Sequence, residues 1–152
     1  MTSQLSNHAV QTAVSNRRLH IGDGRVTLVT LEEVKQNREV AVLLRKADEH
    51  LGVIGYTEHG LRHAGLVASI AQNILHYLHC NERRAQLAAI AGYLHDIGNV
   101  INRNVHGETG AVLALQMLLS MGMGMEEAAT VAAAVGNHEE QYGDPFGPVA
   151  AA

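Results

Sequence analysis

The chain has 152 residues, of which 47% are hydrophobic and 17% charged, and its net charge is −4. That length suits one domain with its own core, and the negative balance argues against a nucleic-acid polymer as partner while leaving room for a small phosphorylated ligand held through a cation. A single cysteine, Cys80, excludes an intrachain disulfide and suits a reducing cytoplasm, no run reaches the roughly 18 apolar residues that span a bilayer, and Met1 to Asn7 lacks the order of a signal peptide.

Abundant Ala and Leu, with one Phe, two Pro and no Trp, favour helices. Residues 1–24 read as a polar N-terminal arm ending in the turn Gly22-Asp23-Gly24. Residues 25–152 read as an all-α domain of about five main helices, opened by one short strand from Arg25 to Val29. Thr30 and Glu33 form a capping box, so the first helix is expected to run to Leu51 and stop at Gly52. Thr57 is expected to cap the second, with Leu66, Val67, Ile70, Ile74 and Leu78 as its inward stripe. Asn81 caps the third, whose stripe is Leu87, Ile90, Ala91 and Leu94, and Gly98 suits a left-handed C-terminal cap. The fourth covers Gly107 to Leu119, and the Gly-Met alternation at 121–125 breaks it. The fifth runs from Glu126 to about Glu139, before Gly143-Asp144-Pro145. Met117 to Met125 is expected to fill core. Pro148 to Ala152 reads as the opening of another helix, so the domain is expected to be truncated at its C-terminus.

Histidine is the unusual component, with 10 copies. The sharpest run is Tyr93-Leu94-His95-Asp96-Ile97-Gly98. A neutral imidazole and a carboxylate are suitable ligands for a divalent metal. Adjacent helical residues point about 100° apart, so both can face one ion, with the carboxylate free to bridge to another. For an isolated pair, a capping Asp and a satisfied His would be the better explanation. His63 and His138 lie against apolar segments as well, and a buried ring without a partner costs about 1–3 kcal/mol.

The ordered set Glu58-His59-Gly60-Leu61-Arg62-His63, Ala91-Gly92-Tyr93-Leu94-His95-Asp96-Ile97-Gly98, His106 with Gly107 and Gly110, and Asn137-His138-Glu139 resembles the HD superfamily of metal-dependent phosphohydrolases, particularly its HD-GYP-like branch. The resemblance covers about residues 56–148. It implies His63, His95 and Asp96 as core metal ligands, His106 and His138 as the additional ligands of a two-metal branch, and Asp96 as the bridge. Three features depart from the pattern. The family's final Asp would follow Ala152, and Asp144 comes too early to replace it. Asn99 stands where a basic residue often follows the HD-Ile-Gly run. Tyr142 to Gly147 does not reproduce the Gly-Tyr-Pro signature.

The resemblance implies hydrolysis of a phosphate ester, with nucleotides among the candidate substrates. Asp96 and His95 would stand at the reacting centre, with one or two ions among Mn, Fe, Zn, Mg and Ni. His59, Arg62, Asn99 and Arg103 are the candidate substrate contacts, although Glu58 and Arg62, four apart, also read as a surface ion pair. His76 and His79 read as solvated. His138-Glu139 lacks the second His of a zincin helix, which excludes a metalloprotease. The alternatives are a non-catalytic metal- or nucleotide-binding regulatory domain of the same fold, and an iron-binding helical protein. A homodimer is among the expectations, since helical domains of this size often pair.

Overall fold

The computed structural model describes residues 18–21, 24–139 and 143–152. Most of the expected arm, residues 1–17, lies outside the described residues. Strands β1 (Arg18–Ile21) and β2 (Gly24–Thr27) form an antiparallel hairpin in which Arg18 faces Thr27 and Ile21 faces Gly24. The single strand expected at 25–29 therefore begins one residue earlier, ends two residues earlier, and has a partner. Its end is anchored where the Thr27 amide donates to the Gly122 carbonyl at 2.7 Å.

Helix α1 (Leu31–Gln36) opens with the expected capping box: the Glu33 amide donates to the Thr30 hydroxyl, and the Thr30 amide to the Glu33 carboxylate. It does not continue to Leu51. Asn37 takes extended backbone angles and its side-chain oxygen accepts from the amides of Glu39 and Val40, so a new helix, α2 (Arg38–Val53), starts there. Asparagine bonds its own neighbouring backbone readily, which makes it a better cap than helix interior.

Helix α3 (Leu61–Tyr77) starts after Gly60, three residues on from the position expected from a cap at Thr57. Its buried face is also not the expected one. Ala64, Ala68, Ala71 and Leu75 face the core, while Leu66 and Ile70 are 54% and 49% exposed and Ile74 and Leu78 lie outside as well. The cause is a close helix crossing. A Cβ on Gly92 of α4 (Glu82–Leu94) would lie 3.1 Å from the Val67 carbonyl oxygen and 3.2 Å from the Ala68 Cα. Backbones this close leave space only for small side chains, so α3 turns its alanines inward. Asn81 caps α4 by accepting from the Arg84 amide. From Leu87 to Leu94 every residue of α4 is buried, as expected of a helix that is the centre of a bundle.

After α4 the chain makes a 3₁₀ turn (Ile97–Val100) and then α5 (His106–Ser120), α6 (Met125–Gly136) and a short α7 (Pro148–Ala151). Helix α6 stops three residues short of the expected end. Gly98 is not a left-handed cap. A Cβ there would lie 2.0 Å from the His106 carbonyl oxygen and 2.5 Å from the Gly110 nitrogen. Glycine is needed because two backbones touch. Gly122, with φ +89°, does take the left-handed form between α5 and α6. Met123 is buried and Met117 and Met121 pack against the core, while Met125 is exposed.

Candidate metal centre

Helix ends build the centre. His63 lies in the first turn of α3, His95 and Asp96 directly follow α4, His106 opens α5, and His138 lies two residues beyond α6. The Gly98–His106 backbone contact sets the start of α5 against the turn that carries Asp96. Gly107 lies against Gly136, where a Cβ would be 3.1 Å from the carbonyl oxygen, and this brings the end of α6 close.

Asp96 is buried and central. Its Oδ2 lies 3.0 Å from His95 Nε2 and 3.6 Å from His63 Nε2, and its Oδ1 lies 3.5 Å from His106 Nε2. His63 and His95 face each other Nε2 to Nε2 at 3.4 Å, and His106 and His138 do the same at 3.0 Å. The five residues that the resemblance implied as ligands therefore converge. His59 joins them: one ligand atom each from His59, His63 and Asp96, and likewise from Asp96, His106 and His138, lie within 4.8 Å of one another.

The hydrogen bonds decide which ring nitrogen is available. His95, His106 and His138 donate from Nδ1 to the carbonyls of Gly92, Arg103 and Val135, each three residues back, and His59 donates to Thr57. A carbonyl only accepts, so Nδ1 carries the hydrogen and the neutral ring keeps its lone pair on Nε2. The Nε2 atoms of His106 and His138 then face each other across 3.0 Å, and Arg103 Nη1 lies 3.1 Å from His106 Nε2, within reach to donate to it. A cation between the two rings would take up both lone pairs. Donors bound at about 2.0–2.1 Å to one ion are themselves separated by about 3.0–3.4 Å. The donor set thus fits a divalent metal, and the Nδ1 bonds are the outer contacts that commonly orient metal-binding histidines.

The electrostatics agree. Burial disfavours the charged forms of His63 and His138 and holds both below the usual histidine range. Burial also opposes charge on His95, but the hydrogen bond and charge of Asp96 outweigh it and push His95 up. Burial would raise Asp96, yet the His95 hydrogen bond and the neighbouring imidazoles hold it far below the usual carboxylate range.

Asn99 is buried with its amide on Asp96, donating to Oδ1 at 2.9 Å and to the backbone oxygen at 3.0 Å. Arg103 stacks over Tyr56 at 5.1 Å, lies 3.9 Å from Asp96 Oδ1 and pairs with Glu139 at 3.3 Å. Glu139 also comes within 3.6 Å of His106 Nε2. It was missed as a site residue, although the run Asn137-His138-Glu139 carries part of the resemblance, because only His138 was assigned a role there; its position directly after His138 was the available signal. Arg62 lies apart from the cluster, with its side chain 79% exposed and paired with Glu58. His76 pairs with Glu82 and His79 is exposed, as expected.

Comparison with known proteins matches residues 56–147 to the HD domain. An uncharacterized protein of Methanocaldococcus jannaschii is 30% identical over 102 residues, a match that covers 57% of this chain and 39% of the relative. No solved structure matches. Among the described residues no helix is long and apolar enough to cross a membrane.

Proposed function

Since the chain belongs to the HD domain family, whose members are typically metal-dependent hydrolases, we propose that it hydrolyses a phosphate ester at the centre around Asp96. The observation that carries this is the pair of opposed Nε2 contacts on either side of one buried carboxylate. His63, His95 and Asp96 would hold one ion, with His59 beside them. Asp96, His106 and His138 would hold a second. A bound divalent metal supplies Lewis acidity toward a phosphoryl oxygen and makes water a stronger acid near neutral pH.

The chain's own groups do the rest. Asp96 stays ionised and offers one oxygen to each imidazole pair. Asn99 fixes the carboxylate plane from behind. Arg103, held between Asp96 and Glu139, brings positive charge to the edge of the centre, where a phosphate would meet it. His59 lies beside His63 with its Nε2 free of the Thr57 bond.

Replacing Asp96 with Ala should abolish both retention of metal, measured by elemental analysis, and hydrolysis of an aryl phosphate or nucleotide in Mn or Mg. Full activity in that variant would end the proposal. A second reading, a regulatory domain that binds metal without turnover, is favoured by Asn99, which occupies an oxygen of Asp96, and by Arg103, which is spent on Glu139. Stoichiometric metal with no hydrolysis across a nucleotide panel would select it.

A further inference from the structure

Arg103 brings its guanidinium into the His106–His138 half of the centre. Its Nη1 lies 3.1 Å from His106 Nε2, 3.4 Å from His106 Nδ1, 3.5 Å from the Asn99 side-chain oxygen and 3.9 Å from Asp96 Oδ1. Its Nη2 lies 3.3 Å from Glu139 Oε1, and the guanidinium stacks on the exposed ring of Tyr56. These neighbours are the groups that a second ion needs. His106 is buried and faces His138, and Glu139 Oε1 lies 3.6 Å from the same His106 nitrogen. An ion bound to that nitrogen at the ~2.0–2.1 Å of a metal–imidazole bond would lie within about 5 Å of Nη1.

We infer that Arg103 and the second ion are alternative countercharges of Asp96 and Glu139: an ion entering at His106 and His138 takes Glu139 as a further ligand, and the displaced guanidinium becomes the phosphate contact. This rests on the hydrolase reading above and adds a control to it. The two carboxylates bring two negative charges. One guanidinium balances half of that, and one divalent ion balances all of it. Ion and guanidinium together leave an excess of positive charge beside the buried His106 and Asp96, which is costly. A phosphate supplies the missing negative charge, and a guanidinium offers it paired donors. Tyr56 keeps the released side chain at the rim, because stacking on its ring does not require Glu139. Arg103 thus has two tasks in sequence. It holds the carboxylates until the ion arrives, and then it faces the substrate. Phosphate affinity is thereby coupled to the second ion, and the coupling is reciprocal.

The test begins with Zn titrated by calorimetry into the full chain stripped of metal by a chelator. The Arg103 side chain is 31% exposed, which screens it, yet removing a unit charge about 5 Å from an ion should still tighten that ion about tenfold or more. Arg103→Met should therefore tighten one of two ions by that factor and leave the other nearly unchanged. The ring signals of His106 and His138, followed by NMR, should mark the tightened site. Wild-type or weaker binding of both ions overturns the inference. Glu139→Gln should weaken the same ion at least tenfold, and unchanged binding removes Glu139 as a ligand and overturns the exchange. A measurement on the wild type covers a variant that fails to fold: the Arg103 Nε–H resonance should move as the His106–His138 site fills, and a resonance indifferent to that ion counts against displacement. Inorganic phosphate should then bind the Zn-saturated wild type at least tenfold more tightly than Zn-saturated Arg103→Met; equal affinity overturns the second task. All of these readouts are binding. Absence of turnover alongside them overturns the hydrolase reading and leaves the exchange standing, whereas hydrolysis by a wild type whose ion affinities Arg103→Met does not alter has the reverse result.

Discussion

At the residue scale, the centre is organised by where protons sit. His63 and His138 are held below the usual histidine range, so both rings are neutral at neutral pH, and the Nδ1 bond of His138 leaves its Nε2 lone pair available. His95 is pushed up, and its proton lies on the Asp96 hydrogen bond. A cation entering between them must displace that proton. The sign follows: protons compete with metal, so affinity should rise with pH and level off once His95 is neutral. Calorimetry in buffers of different ionisation heats should detect proton release per ion, greatest on the acid side of that plateau; release independent of pH would contradict the assignment. Most of this set was legible in the sequence, because polar rings beside apolar runs demand partners. Asn99 was read as a substrate contact, and its burial on Asp96 could not be seen. What distinguishes a solvent-facing amide from a buried one here is the backbone contact at Gly98, which no local pattern reports.

At the scale of elements, helix ends do the positioning, and glycine sets how near they come. Gly98 illustrates this. A methyl there would meet the His106 carbonyl at 2.0 Å and displace the start of α5. Gly98→Ala should cost at least the ~1–3 kcal/mol typical of overpacking, lower the midpoint in urea, and weaken metal binding even where the fold survives. A variant with wild-type stability and wild-type affinity would show the contact to be dispensable. The same physics explains the misread face of α3. The sequence offers two stripes, Leu66-Ile70-Ile74 and Ala64-Ala68-Ala71-Leu75, and hydrophobicity favours the first. Close approach at Gly92 selects the second, and that approach is a property of two helices together. The division at Asn37 had a local signal in the side chain itself, obscured by the apolar spacing that continues on both sides.

At the scale of the molecule, composition sufficed for the all-helical class, and the capping residues Thr30 and Asn81 located two helix starts. The hairpin's first strand was not legible: Arg18 to Ile21 is too short to establish an alternation, and its partner is defined only by pairing. The centre joins residues from position 59 to position 139, so an ion bound there ties most of the bundle together. Saturating metal at about 100 times its dissociation constant should add about 2.7 kcal/mol to stability. For a domain of this size that is a rise in Tm of about 5–10 °C. Thermal melts with and without a chelator measure it, and the Asp96→Ala variant should show no difference between them.

The bonds from His95, His106 and His138 back to carbonyls three residues earlier have a further effect. Each ring is latched to its own stretch of backbone, so swivelling a ring means breaking a latch, and resizing the cage means moving whole rods. Guests of different radius would then be sorted by the strain they impose on the bundle, and exchange would be slow for whichever one the rods already suit.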